Sequence, residues 1–200
     1  MIRIGLTGGL CSGKSTALKI LQELGCHTIS ADDINHELMK TNKALIAKLK
    51  TEFNCVDDKG IVNRKLLGKI VFNDKKAKEK LEMLTHPLVK LVRKDFFKNA
   101  ETNGCEFAVC ETPLLFEKNL MQEFDYSIVI VSSLENRIDR FIAKGSTQER
   151  FFEITKNQLL DGKKTKMADF IIKNNGTKYT LKQTLSKTLK DIREKHYKKF

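Results

Sequence analysis

The sequence predicts a doubly wound α/β domain built on a parallel sheet. Strand and helix candidates alternate along most of the chain. Several strand candidates are near-continuous apolar runs, the pattern of strands covered on both faces. A glycine-rich loop joins the first strand to the first helix. With 200 residues, the chain suits one compact domain with an ample core and room for a small insertion.

In chain order, Ile2–Thr7 reads as the first strand, carrying Ile2, Ile4 and Leu6. Gly8-Gly9-Leu10-Cys11-Ser12-Gly13-Lys14-Ser15 follows, with Thr16 behind it, and matches G-x-x-x-x-G-K-[ST]. Ala17, Leu18, Ile20, Leu21 and Leu24 then fall at helical spacing. Strand, glycine loop and helix together make the motif credible against an ordinary glycine turn. The chemistry follows from geometry. Such a loop turns backbone N–H groups inward, onto the positive end of the new helix. A polyphosphate there meets Lys14 as a mobile cation, and the Ser15 hydroxyl can ligate Mg²⁺. The motif predicts nucleoside triphosphate binding.

His27–Ser30 is the second strand candidate, and Asp32 and Asp33 follow it. Two adjacent acids let one cap the next helix while the other faces the triphosphate. If the acceptor is an alcohol, such a carboxylate can take its proton. From about residue 33 to 104 no strand pattern stands out. Helices are expected over Ala44–Phe53, Arg64–Phe72 and Leu88–Ala100, the last opened by His86-Pro87 with Pro87 at its first position. The stretch reads either as a substrate-binding lobe or as helical crossover packing. Glu106–Cys110, Tyr126–Val131 and Asp169–Ile172 supply three further strands. Between the last two, a helix bearing Arg137 and Arg140 ends near Lys144-Gly145. A second helix, ending near Lys163-Lys164, follows the turn Gly145-Ser146-Thr147. A helical hairpin with inward cations suits a mobile lid over developing phosphoryl charge. The last helix, about Lys178–Lys198, sets Leu181, Leu185, Leu189 and Ile192 on one core-facing stripe.

Composition narrows the partners. Lys+Arg minus Asp+Glu is 37 − 25 = +12, which favours anionic ligands, either nucleic acid or a small substrate with several phosphates. The basic ending Lys195 to Lys199 reads first as a solvated face. Cys11, Cys26, Cys55, Cys105 and Cys110 are scattered with no C-x-x-C pair, so free thiols in a reducing cytosol fit better than zinc or disulfides. No signal run or membrane-length apolar stretch occurs, and a cytoplasmic location is expected.

Jointly, the motifs resemble the dephospho-coenzyme A kinase family. The resemblance rests on Gly5-Leu6-Thr7-Gly8-Gly9 leading through the loop to Thr16, Leu24-Gly25, and Ala31-Asp32. It continues through Asp58 and Gly60 with Arg64 and Leu67, Val71-Phe72, and His86-Pro87. Pro113-Leu114-Leu115-Phe116-Glu117 is its most distinctive segment. Gln158, Ala168-Asp169-Phe170-Ile171-Ile172 and Asn174-Asn175-Gly176 close it. The similarity runs in order over about residues 2–190.

What the resemblance implies is transfer of the ATP γ-phosphoryl group to the ribose 3′-hydroxyl of dephospho-coenzyme A, yielding coenzyme A and ADP, with Mg²⁺. It implies a three-layer α/β/α P-loop kinase with a five-stranded parallel sheet. Residues 1–34 and 105–200 would form the nucleotide-binding core, with a lid at about 138–165, and residues 35–104 a helical acceptor lobe. By position, Asp32 matches the catalytic carboxylate, Lys14 the loop lysine and Arg140 a lid arginine. Gly9, Leu10, Cys11, Ser12, Gly13, Lys14, Ser15 and Thr16, with Asn174 and Gly176, match nucleotide contacts. Arg64, His86, Pro113, Leu114 and Leu115 fall on the acceptor side with Asp32, and Glu111 would complete with Ser15 the Mg²⁺ shell. The implied partner is dephospho-coenzyme A, with no nucleic acid or membrane, in a monomer or weak homo-oligomer.

Departures from the family pattern are specific. Ser30 stands where an acid is usual, and His36 and Lys144 stand where Arg is common. Lys is a point charge rather than a bidentate fork. Cys11 replaces a usual Gly, and a thiol beside Lys14 at a helix N-terminus sits in an electropositive setting that favours reaction. Its oxidation or alkylation is expected to block ATP binding; the alternative is a buried, inert thiol. Rival readings are another P-loop nucleoside or nucleotide kinase and, from a different class, a nucleic-acid-stimulated ATPase with steep salt dependence. Asp57-Asp58-Lys59-Gly60 formally fits the D-x-x-G of small GTPases, but no N-K-x-D signature accompanies it.

Overall fold

The computed structural model describes residues 1–156 and 161–198. Five parallel strands form one sheet: β1 (Ile2–Gly8), β2 (His27–Ser30), β3 (Phe107–Glu111), β4 (Tyr126–Val131) and β5 (Phe170–Lys173). Their order is β2-β3-β1-β4-β5. The central β1 pairs in register with β3 (Ile2 opposite Phe107, Leu6 opposite Glu111) and with β4 (Ile4 opposite Tyr126, Gly8 opposite Ile130). After β3 the chain crosses to the other side of β1. The carboxyl end of β1 is therefore the topological switch point, where open α/β sheets form their ligand crevice.

The chain divides into two compact units, residues 1–29 with 97–200, and residues 30–96. In the first, Ile2, Ile4 and Leu6 of β1 and Tyr126, Ile128 and Ile130 of β4 lie in the core. Packed into the same core are Ala17, Ile20 and Leu21 of α1 (Lys14–Glu23). The predicted stripe Leu181, Leu185, Leu189 and Ile192 of α9 (Lys178–Tyr197) joins them. Helices so patterned bury one face and leave the charged one to water. Cys26 belongs to this core, and burial pushes its thiol up to about 12, with Glu106 adding to the shift. No helix among the described residues is long and apolar enough to cross a membrane.

The second unit holds α2 (Ala31–Thr41), α3 (Lys43–Phe53), α4 (Arg64–Asn73) and most of α5 (Lys75–Thr102). Local chemistry sets the helix starts. The Asn42 side chain accepts from the Leu45 N–H and that of Asn63 from the Leu66 N–H, while Asp74 accepts from Lys76 and Ala77. Ile34, Leu38, Leu45, Leu49, Phe53, Leu67 and Val89 are among its buried apolar residues.

Three expectations are revised. Pro87 does not open a helix; α5 runs unbroken for 28 residues with Pro87 inside it. A proline there forfeits one bond to the carbonyl four residues back. That residue is Met83, 69% exposed, so water can serve its carbonyl. The insertion is not wholly helical, since Val56 and Val62 form one antiparallel bridge around the Asp57–Gly60 turn. Asp57 there accepts from the N–H groups of Lys59 and Ile61, which gives its carboxylate a turn-forming role. The expected lid hairpin comprises α6 (Leu134–Ile142), α7 (Gln148–Thr155) and α8 (Asp161–Met167). Gln158 lies outside the described residues.

Candidate functional site

The phosphate loop leaves β1 at the switch point and enters α1 at Lys14. Gly13 precedes the helix with φ 102°, and no side chain caps the helix. The Ala17 N–H bonds to the Gly13 carbonyl at 2.9 Å, so the amides before it lack helical carbonyl acceptors. An uncapped, acid-free first turn suits an anion. The Lys14 ammonium donates to the Gly9 carbonyl at 3.0 Å, holding the lysine across its own loop.

Three side chains from distant elements grip the outer edge of this loop. The Arg137 Nε donates to the Leu10 carbonyl at 2.7 Å. Arg140 donates to the carbonyls of Cys11 and Ser12 at 3.3 and 3.4 Å, and Asn174 Nδ2 donates to that of Ser12 at 2.8 Å. In a trans peptide the C=O and the next N–H point opposite ways. Anchoring the Leu10 and Ser12 carbonyls outward therefore turns the N–H groups of Cys11 and Gly13 inward. Arg140 also donates to the Asn174 carbonyl at 2.9 Å, and Asn175 accepts from Ser132 Oγ and the Ser133 N–H at 2.9 Å each. The ends of β4 and β5, α6 and the loop thus form one polar framework.

Two positions in the loop show how tight this framework is. A Cβ on Gly13 would stand 2.1 Å from the Asn174 amide nitrogen, and one on Gly9 would stand 2.5 Å from the Arg137 guanidinium. Cys11 adopts φ 57°, a left-handed conformation that glycine accepts readily. Its thiol is half-buried. Ser12 is fully buried and its hydroxyl finds no hydrogen-bond partner among the described residues.

Arg140 therefore grips the loop from outside, and Asn174, only 8% exposed, does the same. Gly176 lies in the β5–α9 connection beside them. Ser15 and Thr16 are exposed on the first turn of α1. Glu111 ends β3, buried, opposite Leu6 of β1. A hydroxyl and a carboxylate are hard oxygen donors of the kind Mg²⁺ takes when it keeps waters and phosphates as its other ligands. Among the described residues no cluster of three or more His, Cys, Asp or Glu could hold a metal unaided.

Beyond Glu111, the turn Pro113–Glu117 is fastened by its backbone. The Pro113 carbonyl accepts from Thr7 Oγ1 at 3.1 Å and from the Lys164 ammonium at 3.3 Å. Leu115 is fully buried and anchors the turn by packing, while Pro113 and Leu114 keep partial exposure. In the second unit, Asp32 is exposed on the first turn of α2, directly after Ser30 at the carboxyl end of β2. Arg64 begins α4 and His86 lies within α5, both exposed. The sequence points to Arg137 and Lys164 only as lid cations and to Glu117 only as the end of the Pro113–Glu117 segment. It gives no sign of Asp161 or of the pairs Arg137–Asp161 and Lys164–Glu117; pairs so distant in sequence leave no local pattern.

A family model described as dephospho-CoA kinase matches residues 2–179. The chain is 37% identical to the dephospho-CoA kinase of Bartonella quintana over 84% of its length and 87% of that protein's. Among solved structures, dephospho-CoA kinase from Campylobacter jejuni is similar with a TM-score of 0.71 at 30% identity, covering 97% of this chain and 98% of its own. A Thermus thermophilus protein gives a TM-score of 0.82 at 28% identity, with 95% and 97% covered.

Proposed function

The chain belongs to the dephospho-CoA kinase family, an ATP-dependent kinase family, and on that premise we propose that it transfers the γ-phosphoryl group of ATP to the ribose 3′-hydroxyl of dephospho-CoA. The observation that supports this most strongly is the gripped phosphate loop. Arg137, Arg140 and Asn174 bond its carbonyls and so fix the direction of its amides. Preorganised amides aimed at a polyphosphate need little rearrangement when charge develops.

In this reading Lys14 leaves the Gly9 carbonyl for the β- and γ-phosphates, and the amides of Gly9 to Thr16 cradle the rest. Asn174 and Gly176 border the nucleotide at the β5 end. Ser15 and Glu111 would hold Mg²⁺, which would neutralise phosphate charge; few protein ligands suffice, because phosphates and water fill the octahedron. Asp32 accepts the proton of the attacking hydroxyl. Arg64 and His86 bind the acceptor's phosphates, and Pro113, Leu114 and Leu115 form or support the acceptor-side turn. Arg140, through the loop it grips, and the lid helices close over the reacting group. With a net charge of +12, the molecule draws in polyanionic substrates by long-range attraction.

Incubation of the purified protein with Mg-ATP and dephospho-CoA is expected to yield ADP and a product heavier by one phosphoryl group, detected by mass spectrometry. Equal turnover with nucleosides or nucleotides as acceptors would favour the rival kinase reading. Stimulation of ATP hydrolysis by single-stranded or duplex nucleic acid would favour the ATPase. Asp32→Asn is expected to lower kcat by roughly 10²–10⁴-fold while nucleotide affinity holds. An unchanged kcat removes Asp32 from the chemistry.

A further inference from the structure

Helix α8 presents Asp161 and Lys164, three residues apart and so on one face, to two different parts of the first unit. The Asp161 carboxylate binds the Arg137 guanidinium at 2.6 Å, and Arg137 in turn holds the Leu10 carbonyl of the phosphate loop at 2.7 Å. The Lys164 side chain is entirely withdrawn from solvent, 0% exposed, and its ammonium meets the Glu117 carboxylate at 2.8 Å and the Pro113 carbonyl at 3.3 Å. The Pro113 carbonyl also takes the Thr7 hydroxyl of β1, so the turn after β3 is fixed from two sides. Within the turn the Lys118 N–H reaches the Leu114 carbonyl and the Leu120 N–H the Leu115 carbonyl.

A fully buried ammonium is a poor way to gain stability. Its desolvation offsets most of the attraction, and apolar replacement of such a pair is often neutral or favourable. What a buried pair does supply is a fixed distance between two elements. We propose that Lys164 is a positioning residue for phosphoryl transfer: through Glu117 and Pro113 it registers the acceptor-side turn against the phosphate loop, with Asp161 and Arg137 tying the other end of the same short helix to that loop. The proposal rests on the functional reading above, in which Pro113–Leu115 serve the acceptor. A displacement of that turn moves the acceptor hydroxyl relative to the γ-phosphorus without touching the nucleotide, and small displacements weigh heavily on such geometry.

The test is steady-state kinetics and thermal unfolding of Lys164→Met/Glu117→Met, in which both charges are removed together so that neither is left buried alone, beside Lys164→Arg. The double variant is expected to fold with an unfolding midpoint at or above the parent's. Its KM for dephospho-CoA is expected to rise about tenfold or more while its KM for ATP stays within about twofold. Lys164→Arg, which keeps the charge, is expected to recover most of the acceptor affinity. An unchanged acceptor KM, an equal rise in both KM values, or loss of folding in the double variant each overturns the proposal; the last makes the pair a stability device. A parent enzyme that leaves dephospho-CoA unphosphorylated is instead a failure of the functional reading, and it is recognised before any variant is measured.

Discussion

Cys11 occupies the most constrained backbone position of the site. At φ 57° an L-residue brings its Cβ toward a carbonyl oxygen, at about 1–2 kcal/mol, and the strain persists because the carbonyls of Leu10, Cys11 and Ser12 are all held by Arg137, Arg140 and Asn174. A β-branched side chain has the least tolerance there. Cys11→Val is therefore expected to destabilise the protein by about 1–2 kcal/mol and to weaken binding of an ATP analogue, whereas Cys11→Gly retains both. Chemical denaturation and calorimetric titration check the pair; equal behaviour of Val and Gly would show the loop to be slack. The loop itself was legible in the sequence, since glycine, lysine and serine spacing encodes local geometry. Arg137 and Arg140 stood out only as cations near a phosphate, and their grip on three loop carbonyls depends on a fold that joins residues more than a hundred positions apart.

Among the elements, strands read more surely than helix ends. The expected His27–Ser30 and Tyr126–Val131 coincide with β2 and β4, and the remaining three strands differ by a residue at their ends. Apolar runs between polar punctuation define a strand almost by themselves. Helix α5 is where local reading and structure part. Proline is common at a helix start, so His86-Pro87 read as a start; the long helix continues because exposed Met83 can leave its carbonyl to water. The cost of the internal proline remains. Pro87→Ala is expected to raise stability to urea by about 1–3 kcal/mol, and unchanged or lower stability would mean that the ring is packed rather than tolerated. Reduced acceptor turnover alongside the gain would connect the local helix geometry to the neighbouring His86.

Across the whole molecule, the final helix is fastened to the sheet by charge as well as by its apolar stripe. Arg193 grips Glu106, just ahead of β3, through two contacts of 2.5 Å, and its guanidinium lies over the Phe107 ring. The hydrogen bond from Arg193 is the largest influence on the Glu106 carboxyl and holds it below its ordinary value of 4.5; burial opposes it, and the charges of Arg193 and of the amino terminus add to the lowering. A lowered carboxylate stabilises the fold above its ordinary value, and that contribution fades as acid protonates it through the lowered one. Arg193→Gln is thus expected to lower the thermal midpoint at neutral pH, with the gap to the parent narrowing below pH 4.5 and in about 1 M salt. A gap independent of both pH and salt would assign the effect to the Phe107 contact instead.

The central strand of the sheet is also the first to be made, and this has a consequence during synthesis. Its partners β3 and β4, and above all the Leu181–Ile192 stripe that covers the sheet with α1, are translated far later. A nascent chain whose α9 has not yet emerged from the ribosome carries Ile2, Ile4, Leu6 and Ile128 without their lasting cover, the kind of surface that recruits chaperones. The side chains that hold the phosphate loop, Arg137, Arg140 and Asn174, are likewise translated long after the loop itself, so its framework is complete only once Asn174 has emerged.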